Sequence, residues 1–149
     1  MNNPQSSTLL PPVAPLQTHV TSLNARTISR VLEIEFDDGQ SFTIPFELMR
    51  VYSPSAEVRG HGVGQAILQT GKRNVNVTSI ESIGNYAIKP LFDDAHQSGL
   101  FTWEYLYWLG KHQAVLWQDY LLRLQVAGFE GETGRDQDST VKVTKNCHN

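Results

Sequence analysis

Between Val31 and Phe36 the apolar residues Leu32, Ile34 and Phe36 alternate with Glu33 and Glu35. A period of two is the mark of a strand with one face on a core and one in water. Asp37-Asp38-Gly39 then predicts a tight turn, because glycine tolerates the positive φ that short hairpins need. Alternation resumes at Phe42 and Ile44 until Pro45 ends the pairing, since proline has no amide to donate. A further strand around His19 to Leu23 would widen this hairpin to a three-stranded sheet. Phe46 to Arg50 reads as a short helical turn. Ser53-Pro54-Ser55-Ala56-Glu57 reads as a helix start: Ser53 can accept an orphan amide, Pro54 suits the first helical position and Glu57 favours the positive end of the dipole. Gly60, Gly62 and Gly64 stop that turn. Val75 and Val77 mark another strand, and Tyr86 to Leu91 a partner strand after a turn at Gly84-Asn85.

The last third changes period. Trp103, Leu106, Tyr107, Ala114, Trp117, Leu121 and Leu124 recur along an amphipathic helical stripe. Thr102 is the expected N-cap. Gly110 lies within the stripe and costs a helix about 1 kcal/mol relative to alanine. Two helices are therefore predicted, Trp103–Leu109 and His112–Ala127, broken at Gly110 and ended by Gly128. Trp103, Leu106 and Trp117 fall on the expected inward side, with Tyr105, Trp108, Leu116 and Tyr120 on the flanks. A small sheet cannot easily cover so wide an arc, so Trp108 and Tyr120 are expected to form a patch buried by self-association or a partner helix. From Glu130 onward the chain is polar and without period. The pattern predicts an α+β fold: a small, mainly antiparallel sheet, short helical turns and a C-terminal helical segment. It divides the chain into a lead-in at 1–15, a domain at 16–128 and a disordered tail at 129–149.

Composition narrows the function classes. The chain has 149 residues and a formal net charge of -3, which suits one modest core and does not favour polyanions. Lys72-Arg73 is the sole adjacent basic pair, so no nucleic-acid surface is expected. No apolar run approaches the roughly 18 residues of a membrane span. The first 25 residues carry no charged side chain, and they include Pro4, Pro11, Pro12 and Pro15. Leu9-Leu10-Pro11-Pro12-Val13 is too short for a signal peptide's apolar region. Cytoplasmic residence is the expectation. The lone Cys147 excludes an intrachain disulfide and a multi-cysteine zinc site, and reads as an incidental exposed thiol.

Several segments occur together in one order: Phe36-Asp37-Asp38-Gly39, Leu48-Met49-Arg50, Ser53-Pro54-Ser55-Ala56-Glu57, Gly71-Lys72, Gly84-Asn85-Tyr86-Ala87 and Phe92-Asp93-Asp94-Ala95-His96-Gln97-Ser98-Gly99. Over roughly residues 16 to 128 the chain resembles the gamma-butyrobetaine hydroxylase-like N-terminal domain family. In gamma-butyrobetaine hydroxylase the similar domain precedes a separate iron and 2-oxoglutarate catalytic domain. There it holds a metal through a Cys-x-Cys-x-x-Cys loop and one later histidine. The resemblance places the cysteine positions on Ser53, Ser55 and Val58 and the histidine on His96. Three of those four ligands are absent here, and neither hydroxyls nor valine replace thiolates on zinc. Similar domains are also fused to iron–sulfur scaffold ATPases of the Mrp type, which implies an iron–sulfur context.

The candidate chemistry follows. His96 with Glu57 or His61 could form a carboxylate–imidazole site, for which iron fits better than zinc. The alternative is that His96 hydrogen-bonds locally while His61 sits exposed among its glycines. Asp93 and Asp94 read as turn residues accepting backbone amides, with Arg50 a candidate ion-pair partner. Gly60-His61-Gly62-Val63-Gly64 lacks the lysine and hydroxyl residue of a phosphate-binding loop. An oxygenase triad usually opens with His-x-Asp or His-x-Glu, but Thr21, Val63, Ser98 and Ala114 stand two residues after His19, His61, His96 and His112. No independent catalysis is expected. The leading expectation is a cytoplasmic interaction module with a protein partner and a link to iron–sulfur or metal handling. The alternatives are a metal-binding accessory subunit of an oxidoreductase, or a homo-oligomer.

Overall fold

The computed structural model describes residues 11, 16–55, 58, 67–94, 96 and 99–136. Three strands, β1 (Val20–Arg26), β2 (Val31–Phe36) and β3 (Ser41–Pro45), form an antiparallel sheet in that order. The expected alternation sets its register. Leu32 faces Ile44 and Ile34 faces Phe42, and Leu32, Ile34 and Ile44 are fully buried. The turn closes at Gly39, whose φ of 89° only glycine adopts at little cost. Helix α1 (Phe46–Val51) follows directly and is buried along its whole length.

A second antiparallel sheet runs in the order β4 (Val77–Ile83), β5 (Ala87–Phe92) and β6 (Phe101–Thr102). The α+β class is as expected, with the strands split between two small sheets. β6 was not predicted, because two residues carry no period. It reaches only Ala87 and Ile88. Pro90, which has no amide to donate, thus lies where β5 has one paired strand.

Thr102 caps helix α2 (Trp103–Lys111), its Oγ1 accepting the Tyr105 amide at 3.1 Å. Helix α3 (Gln113–Val126) ends in a Schellman motif: Gly128 donates to the Gln125 carbonyl and Phe129 to that of Leu124, at 3.0 and 3.1 Å. The predicted break at Gly110 is displaced to His112. Gly110 stays helical because its missing side chain admits β3; a Cβ there would stand 2.3 Å from Phe42 Cγ. Tyr105, Leu106, Trp108 and Leu109 of α2 are buried, as are Leu116, Tyr120 and Leu124 of α3, while Trp103 and Trp117 are half-buried. Trp108 is 8% exposed and Tyr120 fully buried, so the expected patch on those two residues does not exist.

The expected start of a tail at residue 129 is also overturned. Phe129 is buried, and helix α4 (Thr133–Asp136) docks on the body. Gly71 and Arg73 donate backbone hydrogen bonds to the carbonyls of Gly134 and Arg135, both at 2.9 Å. Residues 137–149 and most of the lead-in lie outside the described residues.

Candidate functional site around His96

Two chain segments meet at the end of α1. The first leaves Val51 through Tyr52 into Ser53-Pro54-Ser55. Ser53 does cap locally: its Oγ accepts the Ser55 amide at 3.3 Å. The second leaves β5 at Phe92. Asp93 anchors it to the segment before β4, donating its amide to the Asn76 carbonyl at 2.8 Å and accepting the Asn76 amide on Oδ1 at 3.1 Å. Asp94 accepts the His96 amide at 3.2 Å, which turns the imidazole inward, its ring centroid 6.3 Å from that of Phe92. Both acids thus take the turn roles expected of them.

His96 Nε2 lies 3.2 Å from Ser53 Oγ and 3.3 Å from Ser55 Oγ. Ser53 is fully buried, His96 is 6% exposed and Val58 is 4% exposed. Residues 43 and 41 positions apart are therefore brought together, on the positions where the resemblance puts metal ligands. The donor set does not fit that metal: two neutral hydroxyls, one imidazole and a valine lack the thiolates that bind zinc in such a loop. Glu57 and His61, the other candidate ligands, fall outside the described residues. Among the described residues no group of three or more His, Cys, Asp or Glu stands close enough to hold a metal ion.

A charged layer flanks the imidazole. Asp94 Oδ2 accepts Arg50 Nε at 2.9 Å and Lys72 Nζ at 2.6 Å, and Arg50 also donates to Gln69 Oε1 at 2.9 Å. Burial opposes ionisation of Asp94. The Lys72 hydrogen bond and the charges of Arg50 and Lys72 outweigh it and hold the carboxyl below its usual range. Beside this layer a cleft of about 330 Å³ opens between Gly71, Lys72, Asp93, Asp94, Arg135 and Asp136. Its cations are already matched: Lys72 by Asp94, Arg135 by Glu47.

The second polar cluster carried no signal in the sequence. Glu47, 5% exposed on α1, receives Arg135 through two hydrogen bonds of 2.7 and 2.8 Å and the Tyr120 hydroxyl at 2.8 Å. Burial, then the nearby Glu47 charge, raises the Tyr120 phenol above its ordinary value, and the Glu47 hydrogen bond raises the Arg135 guanidinium. Arg135 also lies over the Trp117 ring, 4.9 Å from its centroid. The 88 positions between Glu47 and Arg135 hide this pair from any local pattern.

No helix among the described residues is long and apolar enough to cross a membrane. Comparison with curated proteins found no match. Two solution NMR structures are similar over most of their length. One is 43% identical with a TM-score of 0.68, covering 81% of this chain and 92% of the other. The second is 49% identical with a TM-score of 0.66, covering 80% and 90%. A crystal structure of a protein of unknown function of the DUF971 family, from Acidithiobacillus ferrooxidans, is 35% identical over 59% of this chain and 88% of that one, with a TM-score of 0.48. The family described as "Gamma-butyrobetaine hydroxylase-like, N-terminal" matches residues 23–107, which include both segments that meet at His96. The chain belongs to the gamma-butyrobetaine hydroxylase-like N-terminal domain family.

Proposed function

We propose that this chain is a non-catalytic binding module of the cytoplasm that works through a protein partner in iron–sulfur or metal handling. One observation carries the non-catalytic part: the histidine at the family's ligand position is buried and engaged by Ser53 and Ser55. A nucleophile or general base must reach a substrate. Here Ser53 is fully buried and His96 nearly so, and the charges beside them are matched within the fold. The iron–sulfur context rests on the fusion of similar domains to Mrp-type scaffold ATPases, and so on family analogy.

The test is twofold. Chain purified without a histidine tag, given iron(II) and 2-oxoglutarate, should release no succinate above a no-protein control. Purified alongside its native partners, it should remain in a complex with a protein that handles iron or iron–sulfur clusters. Turnover abolished by His96→Ala would defeat the non-catalytic reading. One tightly held metal ion per chain, without such a complex, would favour a metal-binding accessory subunit instead.

A further inference from the structure

We infer that the groove holding α4 is a recognition site for a short arginine-bearing segment of a partner protein, and that α4 fills it in cis as a displaceable plug. The groove is shaped to receive one side chain. Glu47 on its floor is 5% exposed, and its two oxygens meet Nη2 and Nε of Arg135 at 2.7 and 2.8 Å. That two-pronged match suits a planar guanidinium and not a lysine ammonium. The Tyr120 hydroxyl donates to Glu47 at 2.8 Å and fixes the carboxylate. Trp117 forms a wall, its ring centroid 4.9 Å from the guanidinium. The amides of Gly71 and Arg73 donate to the carbonyls of Gly134 and Arg135, both at 2.9 Å, as a receptor grips the main chain of a bound peptide.

The neighbours of Arg135 extend the motif. Arg73 donates to both oxygens of the Asp136 carboxylate. Gly134 lies so close to α3 that a Cβ there would stand 2.7 Å from Leu124 Cδ2. The groove therefore suits glycine, arginine and an acidic residue in succession. The plug is also built to leave. It is one helical turn, joined to the buried Phe129 through Gly131 at a φ of 56°. Its release breaks no strand pairing. Glu47, Gly71 and Arg73 lie within the family match, and α4 lies beyond it. A tethered occupant competes at an effective concentration of about millimolar, so a partner binds only the fraction of chains whose groove is open. The groove is separate from the His96 cluster, and its failure as a receptor would leave the reading above standing.

Titration of the full chain with the peptide acetyl-Gly-Arg-Asp-amide, followed through the amide resonances of Gly71 and Arg73, tests this directly. The Arg135→Ala chain, whose pocket is empty, should bind the peptide about tenfold or more tighter than the parent chain does. A peptide with lysine in place of arginine should bind that variant about tenfold more weakly. Because Arg135→Ala strands Glu47, hydrogen exchange on the parent chain stands beside the titration. Opening of α4 alone should leave Gly71 and Arg73 about tenfold or more less protected than Ile34 in the central strand β2. A folded variant that binds no better than the parent overturns the inference, as does one that takes the lysine peptide equally well. Should the variant not fold, the exchange result decides, and Gly71 and Arg73 amides that exchange only with global unfolding make α4 a fixed part of the fold.

Discussion

The two buried polar clusters hold the fold together by different physics. At His96 the contacts are hydrogen bonds, of an imidazole with two serine hydroxyls, and a valine stands beside them. At Glu47 they are ionic, with a carboxylate held by a guanidinium and a phenol. The imidazole–hydroxyl cluster joins segments that lie within the family match. The ionic one ties α1 to α4, which lies beyond it. Removing one partner from a buried ion pair strands a charge, whereas removing a hydroxyl costs one hydrogen bond. The ionic cluster should therefore be the more fragile to single substitutions, although the imidazole–hydroxyl one stands on the family's ligand positions.

Glu47→Ala should produce the largest loss. It leaves the buried Tyr120 hydroxyl without its acceptor and the half-buried Arg135 with Glu132 as its remaining carboxylate, a change of about 3 kcal/mol, which should appear in a urea melt. Replacing both partners, as Glu47→Leu with Arg135→Met, should recover much of that loss, because no charge is then stranded. If Glu47→Ala melts like the parent chain, the clamp on α4 is ornamental.

Asp94→Asn comes next, at about 1–3 kcal/mol near neutral pH, because Arg50 is almost fully enclosed and loses its anion. Asp94 titrates below its ordinary value in the fold. Its stabilisation is therefore complete above the unfolded carboxyl pKa of about 4 and is lost as pH falls through the lower folded value. Denaturation curves at stepped pH should show the gap between parent and variant narrowing only on the acid side of about pH 4. A gap that persists undiminished at lower pH would mean the pair contributes nothing through charge.

Smaller again is Ser53→Ala, which removes one hydroxyl from His96 and should cost about 1 kcal/mol. His96→Ala should cost somewhat more, about 1–3 kcal/mol, since it also opens a void among buried side chains. Equality of Ser53→Ala with Glu47→Ala would remove the contrast between the clusters.

What was legible in the residues was local. The β2–β3 hairpin declared itself through alternation and Asp37-Asp38-Gly39, and Thr102 and Gly128 marked helix ends through the chemistry of orphan amides and carbonyls. Arg50 was expected to pair with Asp93 or Asp94, and its partner is Asp94, Asp93 being taken up by Asn76. What was missed depends on distant partners. Gly110 looked like a helix breaker because Phe42, which needs its empty side, is 68 positions away. The polar stretch after Gly128 looked like a tail because Glu47, which receives Arg135, is 88 positions away. Trp108 and Tyr120 looked uncovered because α1 and the loop after it, which share their core, show no helical stripe of their own.

The central claim is that hydroxyls and an imidazole stand where the family places a metal, so the fold needs none. The most direct measurement is elemental analysis of untagged protein, followed by thermal melts with and without a strong chelator. The account predicts far less than one metal ion per chain and melts that superimpose. One bound ion per chain, with a melting temperature that falls by many degrees on chelation, would contradict it.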